Sequence, residues 1–112
     1  MSKTIEFIFD FGSPNAYLSY FTVKDVAQRT GATLEITPCL LGGIFKSTNN
    51  QPPMMNFAGV AGKNAMFMRE MERYCDRHGF TKFTMNPHFP VNTLLLMRAC
   101  VAYGRDNDVT AY

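Results

Sequence analysis

The chain opens on an alternation: Ile5, Phe7, Phe9 and Phe11 share one face of an extended segment from Thr4 to Phe11, with Ile8 among the polar residues opposite. Period-two spacing with an apolar residue on the second face predicts a β-strand covered on both sides. The pattern changes at Gly12-Ser13-Pro14. Serine suits an N-cap and proline the first helical position, where its fixed φ fits and its missing N–H costs nothing, so a helix is predicted from Pro14 to about Thr30, stopped by Gly31. Thr33 to Cys39 reads as a second strand. Strand, helix and strand form a β-α-β unit whose strands must be parallel and joined by a right-handed crossover.

Beyond Leu41 the periodicity becomes helical. The connection from Gly42-Gly43 to Pro52-Pro53 reads as too irregular for a simple helix and too polar to be buried. Lys63 to about His78 is predicted helical, with Phe67, Met71, Tyr74 and Cys75 on one face, Glu70, Arg73 and Arg77 outside, and Gly79 as the stop. Pro87-His88-Phe89-Pro90 is a rigid loop, followed by a helix capped by Asn92 and running through Leu95, Met97 and Val101. The last residues, Asp106 to Tyr112, are helix-compatible and contain no stop signal.

Composition narrows the possibilities. With 112 residues, 46% of them hydrophobic, the chain has material for one ordinary core, yet the pattern divides it between a β-α-β unit and a helical segment. Two parallel strands leave an apolar edge and face open, which predicts that the chain dimerises, swaps elements or is marginally stable alone. A formal net charge of +2 with 18% charged residues gives no basic stripe of the kind used on nucleic acid. No apolar run approaches the roughly 20 residues that cross a bilayer. Met1-Ser2-Lys3-Thr4 leads straight into a strand without the apolar run of a signal peptide, so the expected compartment is the cytoplasm. Cys39, Cys75 and Cys100 are widely spaced and form neither a Cys-x-x-Cys pair nor a metal-ligand pattern with His78 and His88. An odd, unpaired set suits a reducing compartment.

Ser13 is the candidate chemical group. At the start of a helix, a thiolate or oxyanion would meet its hydroxyl, free backbone N–H groups and the positive end of the helix dipole. The plainer reading is that Ser13 only caps the helix. A thiol of pKa about 8.5 is only about 3% thiolate at pH 7, and a site that lowers it to around 6.5 makes it roughly three-quarters thiolate. That change corresponds to about 2.7 kcal/mol, the size of one hydrogen bond to a charged sulfur helped by a helix N-terminus. A serine-nucleophile hydrolase is the weaker reading, because no Gly-x-Ser-x-Gly elbow is present and no base partner for Ser13 can be identified.

Four segments in order carry a resemblance: Phe9-Asp10-Phe11-Gly12-Ser13-Pro14-Asn15-Ala16-Tyr17-Leu18; the strand ending Pro38-Cys39 with its Gly42-Gly43 to Pro52-Pro53 connection; the helix opened by Lys63; and Phe89-Pro90-Val91-Asn92-Thr93-Leu94. Together they resemble the 2-hydroxychromene-2-carboxylate isomerase and kappa-class glutathione transferase family. The resemblance implies an α/β fold: a thioredoxin-like β-α-β half of the disulfide-oxidoreductase (DsbA) type over residues 1–41, then an incomplete α-helical insertion domain over 42–112. The family's C-terminal thioredoxin-like half has no counterpart here, so the chain is read as the N-terminal portion of a family member. An oxidoreductase of this fold would carry its redox pair at the turn that here reads Ser13-Pro14-Asn15-Ala16. The thiol must then arrive as a ligand, and glutathione is the one the family uses.

The resemblance assigns Ser13 to stabilising the glutathione thiolate, with Pro14, Asn15, Asn50 and Lys63 as further glutathione-binding positions and Lys46 and Asn56 facing a second substrate. Asn50 and Lys46 could equally be a turn asparagine and a solvated lysine. His88 in its rigid loop is a candidate acid or base on the substrate side, against the usual reading of a loop histidine as solvated. The methionines Met54, Met55, Met66, Met68, Met71, Met85 and Met97 are either core or the lining of an apolar substrate pocket. The implied function is glutathione-dependent isomerisation of the 2-hydroxychromene-2-carboxylate type on a conjugated aromatic 2-oxo substrate, by a cytoplasmic homodimer needing no metal. The alternatives are a kappa-class transferase or peroxidase, and a non-catalytic fragment serving as a binding or assembly unit.

Overall fold

The structure, a computed structural model, describes residues 3–106. Its elements are β1 (Thr4–Phe9), α1 (Pro14–Thr30), β2 (Thr33–Pro38), α2 (Leu41–Ser47), α3 (Pro53–Asn56), α4 (Lys63–His78) and α5 (Leu94–Asp106). The stretch beyond Asp106, with its missing stop signal, lies outside the described residues. None of the helices is long and apolar enough to cross a membrane among the described residues.

The strands pair in parallel, Thr4 opposite Thr33 through Phe9 opposite Pro38. Both are shorter than the sequence pattern suggests. Cys39 N–H still donates to the Phe9 carbonyl at 2.9 Å, and beyond it the Asp10 carbonyl turns out of the ladder to accept the Ser13 N–H at 3.0 Å. Helix α1 covers the face that carries Phe7 and Phe9: the Tyr20 ring lies 6.3 and 6.1 Å from theirs, and Leu18 and Ala27 are buried. The opposite face is open, as two strands alone leave it, and not covered as the alternation with Ile8 suggests. Ile8 is 62% exposed beside Glu6, whose carboxylate accepts from the Thr37 hydroxyl at 2.8 Å, so among the described residues this face is not covered.

Helix α1 ends as expected, with Gly31 at φ 67° and the Ala32 N–H on the Ala27 carbonyl at 3.0 Å. The connection after β2 is more ordered than expected. Residues Leu41–Ser47 form a helix despite Gly42 and Gly43, because Asp10 accepts its first N–H and Asn49, at φ 52°, closes its end with Asn50 N–H on the Phe45 carbonyl at 2.8 Å. Helix α4 has the predicted bounds, buries Met71, half-buries Phe67, Tyr74 and Cys75, and stops at Gly79.

The chain divides into two compact units. One ends at Leu41 and resumes at Pro90; the other is Gly42–Phe89. Helix α5 therefore groups with the β-α-β unit, contacts β2, and buries Met97 and Cys100, in line with Thr93 just before it, while Leu95 stays 77% exposed. The core is thin, since no side chain among the described residues is less than 2% exposed.

Two glycines make opposite predictions. A Cβ at Gly31 would meet nothing within 4 Å, so Gly31→Ala should cost about 1 kcal/mol through the left-handed φ alone. Gly42, equally uncrowded and helical, should gain about 0.5 kcal/mol as Gly42→Ala. Urea titration of each variant measures both.

Candidate functional site

The site is built on the turn from β1 into α1. Ser13 has extended backbone angles, φ −102° and ψ 110°, and its Oγ accepts the Ala16 N–H at 3.1 Å while its carbonyl accepts the Tyr17 N–H at 3.0 Å. Pro14 occupies the first helical position, where no N–H is needed. Asn15 is exposed, and its N–H, in the first turn, has no intrahelical acceptor. Among the described residues the Ser13 hydroxyl makes one hydrogen bond, as an acceptor. Its proton has no acceptor among the described residues, at a half-buried position at the positive end of a 17-residue helix.

Asp10 holds the turn. It is 5% exposed; Oδ1 accepts from the Gly12 N–H at 2.7 Å and the Thr93 hydroxyl at 2.8 Å, and Oδ2 accepts from the Leu41 N–H at 2.6 Å. Its backbone carbonyl accepts the Ser13 N–H at 3.0 Å. A Cβ on Gly12 would come within 3.2 Å of Thr93 Cγ2 and 3.3 Å of Asp10 Oδ1, so a side chain here would require Thr93 or Asp10 to give by a few tenths of an ångström. Sequence reasoning missed Asp10 and Thr93. An aspartate two residues before a glycine at a strand end is a signal for the local turn, but nothing in the sequence links it to a threonine 83 residues away.

The remaining candidates lie in the other unit. Asn50 is exposed; its Oδ1 accepts the Gln51 N–H at 2.8 Å and the Asn56 Nδ2 at 3.0 Å, and the same Nδ2 reaches the Gln51 carbonyl at 3.1 Å. Asn50 and Asn56, given separate roles by the family resemblance, are thus one hydrogen-bonded pair. Lys63 opens α4 with Nζ 5.2 Å from the centre of the Phe57 ring. Lys46 is exposed in the last turn of α2, and His88 is exposed on a loop where its backbone N–H donates to Asn86 Oδ1 at 2.9 Å. Ser13, Pro14 and Asn15 form one group at the head of α1; Lys46, Asn50, Asn56, Lys63 and His88 belong to the second unit.

A profile of the DSBA-like thioredoxin domain matches residues 4–112. The chain belongs to the DSBA-like thioredoxin family. It is 31% identical over 109 residues to the 2-hydroxychromene-2-carboxylate isomerase of Sphingobium xenophagum, covering 96% of this chain and 52% of that protein. It is 30% identical over 70 residues to glutathione S-transferase kappa 1 of Caenorhabditis elegans, covering 62% of this chain and 29% of that one. The chain thus spans about half the length of the first relative and less of the second. No solved structure matches it significantly.

This DSBA-like chain has no sulfur at its β1–α1 turn. Its three thiols are free at Cys39, Cys75 and Cys100; Cys100 is buried, and loss of solvation pushes its thiol above the ordinary value. Cys39 and Cys75 should therefore react with an aromatic disulfide reagent in mildly alkaline buffer before Cys100, as followed by mass spectrometry of the labelled peptides. Ser13→Ala should lower stability by about 1 kcal/mol through the lost cap, read from the urea midpoint.

Proposed function

We propose that the chain carries the sulfur-activating part of a glutathione-dependent isomerase of the 2-hydroxychromene-2-carboxylate type. One observation carries the reading: Ser13 sits half-buried at the head of α1 with its lone pair engaged by Ala16 N–H and its proton uncommitted. A group so placed is a donor to an anion, and a redox pair is ruled out at this turn by Ser13 and Ala16. The likeness to an isomerase over 96% of the chain supports the same reading.

The residues at the turn fit a thiolate. Bound glutathione would supply the sulfur nucleophile that acts on a conjugated aromatic 2-oxo compound. Ser13 donates its O–H to the sulfur, Asn15 offers the unpaired first-turn N–H, and Pro14 keeps the helix head rigid. A charge-assisted hydrogen bond contributes about 1.5–3 kcal/mol, enough to lower a thiol pKa by about 1–2 units. Asn50 and Lys63 are assigned to the tripeptide, Lys46, Asn56 and His88 to the second substrate, and a homodimer to the assembly. Donors fixed before the reaction steady developing negative charge without having to reorganise.

Similarity to a kappa-class transferase supports a second reading, in which the same donor serves transfer to an electrophile. Isomerisation of the chromene with no turnover of a chloro-nitrobenzene or an organic peroxide is the expected outcome; the reverse selects the transferase. The decisive measurement on Ser13 is the ultraviolet thiolate absorbance of bound glutathione across pH. Its midpoint should fall about 2 units below the free thiol's in the unmodified chain, and rise by about 1 unit or more in Ser13→Ala. An unchanged titration removes Ser13 from the function. Absence of glutathione binding by calorimetry assigns this chain to the non-catalytic class.

A further inference from the structure

We infer that Asp10 and Thr93 are positioning residues for Ser13, a clasp that sets the donor's aim from outside its own helix. The functional consequence rests on the thiolate reading of Ser13; the clasp itself rests on geometry alone. Asp10 holds the donor residue and the one before it: the Gly12 N–H by its carboxylate at 2.7 Å and the Ser13 N–H by its carbonyl at 3.0 Å. Those two bonds fix the extended backbone at Ser13 that brings Oγ to the Ala16 N–H. The carboxylate is anchored in turn by the Leu41 N–H and the Thr93 hydroxyl, from two segments remote in sequence.

Thr93 is committed to this task. A threonine immediately before a helix ordinarily turns its oxygen to an N–H of its own first turn. Here Asn92 Oδ1 takes the Leu94 N–H at 3.0 Å, and the Thr93 hydroxyl instead donates to Asp10. Thr93 is 4% exposed, and its methyl group closes on Gly12, where even a Cβ would crowd it. Loss of the hydroxyl removes one of the two donors on Oδ1, the oxygen that also holds Gly12. The strain of that loss falls on the turn before it falls on the sheet.

The test uses the full chain with Thr93→Val, Thr93→Ser and Asp10→Asn. In Thr93→Val, which keeps the Asp10 charge, amide hydrogen exchange at Ser13 and Ala16 should quicken about fivefold or more relative to mid-α1 amides, matching about 1 kcal/mol of lost hydrogen bonding. The thiolate midpoint of bound glutathione should rise by about half a unit or more, and Thr93→Ser should restore both values. Unchanged exchange in Thr93→Val, or a serine variant that behaves like valine, overturns the clasp. A midpoint that falls in Asp10→Asn also overturns it, because charge and not aim would then connect the two residues. Should the unmodified chain show no thiolate signal, the glutathione reading fails, and the exchange data alone uphold or reject the clasp.

Discussion

A single buried carboxylate organises the turn from β1 into α1. Asp10 stands where β1 stops, and four acceptor interactions run from it to Gly12, Ser13, Leu41 and Thr93. An ionised carboxylate without partners in such a position would cost several kcal/mol. Three side-chain acceptor bonds offset that cost, and each draws in a different piece of chain: the turn, the head of α2 and the head of α5. The glycine-containing α2 takes its first acceptor from this carboxylate, and α5, which packs on β2 through its own apolar residues, is tied to it at Thr93.

Ser13 can cap a helix and serve a ligand together because its hydroxyl has two lone pairs and one proton. The Ala16 N–H occupies a lone pair and leaves the donor unspent. The observed capping bond and the proposed donor role therefore use different parts of one hydroxyl, and the first does not exclude the second. Energetically the match is close: the roughly 2.7 kcal/mol needed to bring a thiol to mostly thiolate at neutral pH lies within the reach of one charge-assisted bond plus a helix terminus.

In the second unit, Asn50 and Asn56 show how a motif gains meaning from geometry. The Gln51 N–H on Asn50 Oδ1 fixes which end of that amide is which, and Asn56 adds a second donor to the same oxygen. The Asn50 Nδ2 group is therefore the end of that amide that can still donate. Asn49, bending back at positive φ, delivers Asn50 to that position as it ends α2.

Much was legible in the chain itself. The bounds of α1 and α4, with their glycine stops at Gly31 and Gly79, and the parallel pairing of Thr4–Phe9 with Thr33–Pro38 follow from local φ preferences, periodicity and the handedness of crossovers. Ser13 as a cap with a spare proton is likewise a local matter, settled within four residues. Other features were closed to sequence reading. The helix at Leu41–Ser47 depends on an acceptor 31 residues earlier, and the clasp on a donor 83 residues later. Local sequence determines what each segment can form, because its physics acts over a few bonds; burial and long-range acceptors, which only the folded chain brings together, decided which of those possibilities the site uses.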